Sequence, residues 1–205
     1  MIQKLKQVDI KYYFTEKILK IFGILSINLN IILYMGKLKI GKNYKIWGSI
    51  RFLIDGNGEI IIGNNFHAVS NRKRSYLTIF SPCHLTSIHG GKIIIGNNVG
   101  LNGNTIASRK LIEIGDETMI APNVIISDHD GHSLDPSKRW TEKGKSEKIL
   151  IGKRCWIGAN SIILKGVTIG DNTIIGAGSV VTNECEKNSI YAGNPAKKVK
   201  DIIYK

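Results

Sequence analysis

The chain has 205 residues, room for one domain and a modest appendage. Its three Cys build neither a disulfide framework nor a Cys/His zinc spacing, so a reducing, cytoplasmic compartment is expected. With 29 Lys+Arg against 16 Asp+Glu the formal charge is +13, a field that draws polyanions, yet no RNP, zinc-finger or helix-turn-helix pattern points to nucleic acid.

Residues 1–36 differ from the rest. Lys4, Lys6, Lys11, Lys17 and Lys20 alternate with apolar and aromatic residues, and from Ile18 to Tyr34 the run is broken mainly by Lys20, Ser26, Asn28 and Asn30. That is short and polar for a span, which needs about 20 mostly apolar residues. The segment is expected either as a helical cap over the first coil of the domain beginning at residue 37 or as a basic amphipathic helix for peripheral membrane contact. No signal-peptide pattern is apparent.

From residue 37 to residue 183 an aliphatic residue recurs every six positions. Ile40, Ile46 and Phe52 open the pattern, and Ile62-Gly63-Asn64-Asn65 restarts it. It fades between Phe66 and Gly91, where Arg72, Lys73 and Arg74 read as a solvated loop. Ile95, Leu101 and Ala107 resume it, and Ile114, Ile120 and Ile126 come one residue out of step, which predicts a corner insertion near Arg109–Lys110. A polar interruption then spans residues 127–149. Beyond it the register is unbroken: Ile151, Ile157, Ile163, Ile169, Ile175, Val181, with small residues at Cys155, Ser161, Val167, Thr173 and Ser179 expected to be buried.

A period of six is neither 3.6 nor 2, the periods of a helix and of an amphipathic strand. It fits a chain that turns a corner every few residues, with Gly152, Gly158, Gly170 and Gly176 expected to take the corners by virtue of their freedom at positive φ. Such self-similarity is the signature of a stacked β-solenoid. Residues 184–205 are expected to be a tail with a short basic helix.

The stretch from about Ile95 to Lys200 resembles the hexapeptide-repeat acyltransferases. The resemblance implies a left-handed parallel β-helix with three hexapeptides per coil, a homotrimer with each site between neighbouring subunits, acetyl-CoA as co-substrate and no metal. Ala121-Pro122-Asn123-Val124 matches the corner that precedes the family's catalytic His. His132-Ser133-Leu134-Asp135-Pro136 is similar to the His-Pro-Leu/Ile-Asp-Pro string of the sugar O-acetyltransferases. His132 is therefore the first candidate for the general base, with His129 the second. Asp128 or Asp130 would orient the base ring, or else shape the loop through Asx turns. Asn102 corresponds to an Asn lining the acceptor site, where it would bond the acceptor hydroxyl or the developing oxyanion; backbone N–H groups could equally do so. An Asn ladder inside the solenoid is the structural alternative.

The same resemblance assigns Trp156, Gly158, Ala159 and Ala177 to the pantetheine arm, where a bulky side chain would block an extended ligand. Thr182 stands in a Thr-Asn pair where the family has Thr-Lys, so Lys187 is at most a substitute. Lys197 and Lys200 match cations that meet the adenosine phosphates. In the interruption, Arg139 and Trp140 suit a sugar carboxylate and a sugar ring. The expected activity is O-acetylation of a sugar in a capsule, lipopolysaccharide or other surface glycan, acidic given the charge. Competing readings are an N-acetyltransferase of an amino or nucleotide sugar, a glycan-binding scaffold, and a γ-class carbonic anhydrase using His67, His84 and His89.

Overall fold

The computed structural model describes residues 2–203 of the chain, with side chains from Phe14 onward; Lys4, Lys6 and Lys11 lie outside the described side chains. A long helix, α1 (Ile2–Leu33), precedes six coils of short strands. The first coil is β1 (Leu38–Ile40), β2 (Lys45–Gly48) and β3 (Arg51–Ile54), and the second is β4 (Glu59–Ile62), β5 (His67–Ser70) and β6 (His84–Ser87). The third is β7 (Lys92–Ile95), β8 (Gly100–Asn102) and β9 (Thr105–Ser108), and the fourth is β10 (Ile112–Ile114), β11 (Met119–Ile120) and β12 (Ile125–Ser127). The fifth is β13 (Ile149–Ile151), β14 (Trp156–Ile157) and β15 (Ile162–Ile163), and the sixth is β16 (Thr168–Ile169), β17 (Ile174–Ile175) and β18 (Val180–Val181). The chain closes with β19 (Ser189–Gly193) and β20 (Ala196–Asp201).

Each strand pairs in parallel with its counterpart one coil away, which makes a three-faced prism. The first face runs β1-β4-β7-β10-β13-β16, the second β2-β5-β8-β11-β14-β17-β19-β20, and the third β3-β6-β9-β12-β15-β18. The core is a stack of aliphatic rungs: Ile60, Ile93, Ile112 and Ile149 are fully buried down the first face. Burying each such side chain contributes about 1.5–3 kcal/mol. Cys155, Ser161, Val167, Thr173 and Ser179 are all buried, as their place in the repeat predicts.

The corner chemistry differs from the expectation for glycine. Positive φ at the turn from first to second face is carried by Asn43, Asn65, Asn98, Glu117, Arg154, Asn172 and Asn188. Asn tolerates this region through its short polar side chain. The repeat glycines serve close approach instead: a Cβ on Gly63 would stand 2.7 Å from the carbonyl carbon of Gly96, and one on Gly115 2.7 Å from that of Gly152. Side chains also ladder along this corner, with Asn64 Nδ2 donating to Asn97 Oδ1 at 3.1 Å and Asn97 N donating to Asp116 Oδ1 at 2.8 Å. The Asn97 N–H first, with the Lys153 ammonium nearby, holds the Asp116 carboxyl below the usual range.

The period of six is broken between Phe66 and Gly91 as expected, since the loop at 71–83 separates Ala68 and Leu85, the inward residues of β5 and β6. Two other expectations about the chain path need correction. Ile106, not Ala107, is the inward residue of β9, so the coil is one residue short after Leu101. The predicted insertion at Arg109–Lys110 is present, and it more than restores the count before Ile114. Nor is the tail helical. β20 runs antiparallel to β19, reversing at Gly193 (φ +102°). The open edge of β19 offers ladder partners that a lone basic segment lacks, and those partners override helix propensity.

The helix α1 lies directly on β2. Gly23 is the contact point, since a Cβ there would collide with the Ile46 carbonyl oxygen. Ile27 is fully buried, and the Tyr34 hydroxyl donates to the Phe52 carbonyl at 2.8 Å. No described helix is long and apolar enough to cross a membrane.

Candidate active site

The interruption at 127–149 leaves the prism where the third face turns to the first. It is a built loop. Asp130 N donates to the Lys145 carbonyl at 2.9 Å and Glu147 N to the Asp128 carbonyl at 2.8 Å, so its two arms zip together at the root. Gly144 is obligatory there, because a Cβ would strike the Asp130 carbonyl oxygen of the opposite arm. At the tip, Asp135 caps a short 3-10 turn at Pro136–Lys138, accepting from Ser137 N at 2.9 Å. The Ser137 hydroxyl and N–H hold the Asp135 carboxyl below its ordinary range. The Asp-Pro of the string is thus a turn device.

His132 is exposed, and its Nδ1 sits 3.0 Å from the Arg139 carbonyl oxygen. A carbonyl only accepts, so Nδ1 carries the proton of the neutral ring and Nε2 keeps its lone pair. The Trp140 ring meets the imidazole edge-to-face at 6.2 Å and is itself 93% exposed. The Arg139 guanidinium turns back onto the carbonyls of Ser133 and Leu134 at 3.5 and 3.4 Å, long contacts that leave its charge available to a stronger partner.

His129 has a different setting. Its Nδ1 lies 3.2 Å from Asp128 Oδ1, and its side chain is largely buried. Asp128 is fully buried and serves four donors: the Ser108 hydroxyl (2.7 Å), Arg109 N (2.8 Å), Lys110 N (2.9 Å) and His129. Asp130 pairs with Lys165 at 3.0 Å. No contact joins either carboxylate to His132. Asp128 buckles the inserted corner at 109–110 to the root of the loop, and its ring partner is His129.

Asn102, Ala159 and Ala177 line the turn from second to third face. Asn102 ends β8, with its side-chain oxygen buried and unpartnered, an acceptor free for a hydroxyl. Ala159 and Ala177 occupy the same edge two and three coils further on, beside Trp156, which is 52% exposed on the second face. Gly158 is buried, and a Cβ on it would meet Ala177 N at 2.5 Å, so it serves coil stacking. Lys197 and Lys200 project from β20 exposed and without an ion pair among the described residues, whereas Lys198 is engaged by Glu186 and Asp201, each at 2.7 Å. Thr182 falls at the other edge, after β18, where its hydroxyl accepts from Asn183 Nδ2 at 3.0 Å. A small-residue edge with the unpaired Lys197 near its end fits an extended phosphorylated arm such as that of CoA, while Lys200 lies opposite Ile190 at the far end of β20. His132 and Asn102 therefore stand at opposite edges of the third face.

The loop at 71–83, expected from the sequence to be a solvated one, is instead tied into the fold. Arg72 donates to the carbonyls of Ile79 (3.0 Å) and Phe80 (2.6 Å), and Arg74 pairs with Glu16 at 2.7 Å, so two of its cations are structural. Ile79, fully buried, was the available signal: an aliphatic in a polar loop. Among the described residues no three His, Cys, Asp or Glu side chains converge to hold a metal, and His67 and His84 lie on different faces.

A parallel β-helix with a His-bearing loop on one edge and a small-residue, cation-ended edge on another defines an acyl-transferring hexapeptide protein. The Bacterial transferase hexapeptide (six repeats) model matches residues 148–183. The chain is 30% identical over 193 residues to the "Putative lipopolysaccharide biosynthesis O-acetyl transferase WbbJ" of Escherichia coli K12, covering 80% of this chain and 93% of that one. It is 42% identical over 115 residues to the galactoside O-acetyltransferase of the same strain, spanning 56% of each. Among solved structures, AntD, an N-acyltransferase from Bacillus cereus in complex with dTDP and 3-hydroxybutyryl-CoA, superposes with a TM-score of 0.66 at 26% identity, covering 85% of this chain and 88% of that one. The chain belongs to the hexapeptide-repeat acyltransferase family, and its coil is the left-handed one.

Proposed function

We infer that this protein transfers acetyl from acetyl-CoA to a hydroxyl of a surface polysaccharide, such as a capsule or lipopolysaccharide, in the cytoplasm. The observation that carries the reading is the His132 imidazole, exposed and held through Nδ1 by the Arg139 carbonyl, so that Nε2 faces outward as a base. His132 takes the proton of the acceptor hydroxyl as its oxygen attacks the thioester carbon. Asn102 Nδ2, or a corner N–H, donates to the carbonyl oxygen as negative charge builds there, a contribution of about a hundred- to a thousandfold in rate. His132 then returns its proton to the departing sulfur. The edge with Ala159 and Ala177 leaves room for the pantetheine arm, and Lys197 and Lys200 meet the phosphates.

Because His132 and Asn102 stand on opposite edges of one prism, the site is completed by a neighbouring copy, which supports a homotrimer. The charge of +13 favours an acidic acceptor. The outer face of α1, with Ile18, Phe22, Leu25, Leu29 and Ile32 all exposed, supports peripheral contact with a membrane surface. The likeness to an N-acyltransferase supports a second reading, N-acetylation of an amino sugar by the same base.

The test is CoA release from acetyl-CoA with neutral, acidic and amino-sugar acceptors, for wild type, His132→Ala and His129→Ala. Release stimulated by hydroxyl acceptors and abolished only by His132→Ala supports the reading. Stimulation by amino sugars alone selects the second. No release and no acetyl-CoA binding overturns both.

A further inference from the structure

The loop at 71–83 leaves the second coil at the turn from second to third face, the edge that also carries Asn102, Ala159 and Ala177. It does not hang free. It descends two coils to Asn123, whose side chain grips it twice: Phe80 N donates to Asn123 Oδ1 at 2.9 Å, and Asn123 Nδ2 donates to the Thr78 carbonyl at 2.8 Å. Ile79, between those two anchors, is fully buried against Gly103, where a Cβ would stand 2.6 Å from the Ile79 Cβ. The Arg72 guanidinium fixes the carbonyls of Ile79 and Phe80 from the other side.

The consequence is a rigid wall beside Asn102, the neighbour of Gly103 in the chain. On its outer surface Phe80 is 68% exposed and lines a shallow hollow together with Lys73, whereas Tyr76 lies toward α1 with the Arg74 guanidinium 5.6 Å from its ring. A ring held in place in water, next to a buried oxygen that lacks a partner, suits a ligand with an apolar face and hydroxyl groups. A pyranose ring has both.

We propose that the loop at 71–83 is the acceptor-specificity wall of the site: Phe80 stacks on the sugar ring whose hydroxyl is acetylated, Lys73 pairs with its carboxylate, and Asn123 is the positioning residue that latches the wall. This rests on the acetyltransferase reading above. The latch also reaches the cofactor edge, since Asn123 Nδ2 donates to Asn160 Oδ1 at 3.2 Å beside Ala159, so acceptor and donor affinities separate at Phe80 rather than at Asn123.

Two variants test it. Phe80→Ala removes the platform, and Asn123→Gly removes both latch bonds while keeping a residue at ease with the φ of +61° found there. Each should raise the acceptor KM about tenfold, and Phe80→Ala should leave the KM for acetyl-CoA within about twofold. Lys73→Ala should weaken acidic acceptors and spare neutral ones. Light scattering on the same samples reports the assembly. An acceptor KM within about twofold of wild type in Phe80→Ala overturns the proposal, as does loss of the oligomer, which would make the wall a subunit contact. If the wild type acetylates no sugar, it is the enzymatic reading that falls.

Discussion

The Nδ1 of His132 and the main-chain carbonyl oxygen of Arg139 lie 3.0 Å apart, joining the start of the inserted loop to its far side. That contact fixes the tautomer, so the prediction is chemical. His132→Ala should lower kcat by about a hundred- to ten-thousandfold with little change in the KM for acetyl-CoA. Steady-state rates decide it, and a loss smaller than about tenfold would move the base elsewhere.

Asp128 predicts a different phenotype. Removing its buried carboxylate leaves the N–H groups of Arg109 and Lys110 unpaired, at about 1–3 kcal/mol for each that stays dry, while the Ser108 hydroxyl keeps the Lys92 carbonyl. Asp128→Ala should therefore melt at least about 5 °C lower in a thermal scan, in contrast with His132→Ala, whose exposed ring carries little packing.

The small-residue edge makes a prediction about the donor. Ala177 is exposed, so Ala177→Trp should fold normally and yet obstruct an extended arm. Calorimetry with CoA should show at least about tenfold weaker binding. Lys197→Ala and Lys200→Ala should weaken it too, and their effect should shrink as salt is added. Unchanged affinity in Ala177→Trp would place the cofactor on another edge.

The outer face of α1 can be tested apart from catalysis. Ten apolar residues of the helix and its end, Phe14 to Met35, are more than about two-fifths exposed, an arc wider than a coiled-coil seam. Wild-type protein should co-float with vesicles containing phosphatidylserine, and the double variant Leu25→Glu, Leu29→Glu should not, while keeping its rate on a soluble acceptor. Wild type that ignores the vesicles would leave the helix as a cap alone.

The thiols should be silent. Cys83, Cys155 and Cys185 are free and buried. Burial pushes all three above the ordinary thiol range, that of Cys185 to about 12, with the neighbouring Cys155 and Glu184 adding to the effect. A raised pKa keeps the protonated thiol at about pH 8, so native protein should not react with Ellman's reagent, whereas unfolded protein should titrate all three. Full activity after exposure to iodoacetamide would accord with direct attack by the acceptor and no acyl-cysteine.

The sequence carried the coil because one inward aliphatic per hexapeptide is a local pattern, readable from Ile151 to Val181 without knowing what any residue touches. The candidates for the site were legible for the same reason: His129, His132, Asn102, Ala177 and the terminal lysines each sit in a short string. The sequence also located the insertion near Arg109, since the register slips before Ile114, but not the one-residue deficit between Leu101 and Ile106.

Only the tertiary structure decided what those residues do to one another. Asp128 and His132 are close in sequence, yet the carboxylate faces Ser108 from the preceding coil and the imidazole faces Arg139, because hydrogen-bond partners are chosen across coils and across the loop. Glycine at the repeat corners proved to be a matter of backbone stacking between coils, which no single hexapeptide reveals. The tail became a strand because the edge of β19 stood open, and the loop at 71–83 became a wall because Asn123, more than 40 positions away, reaches it. Periodicity is local and survives in the sequence; pairing between coils is non-local and exists only once the chain has wound.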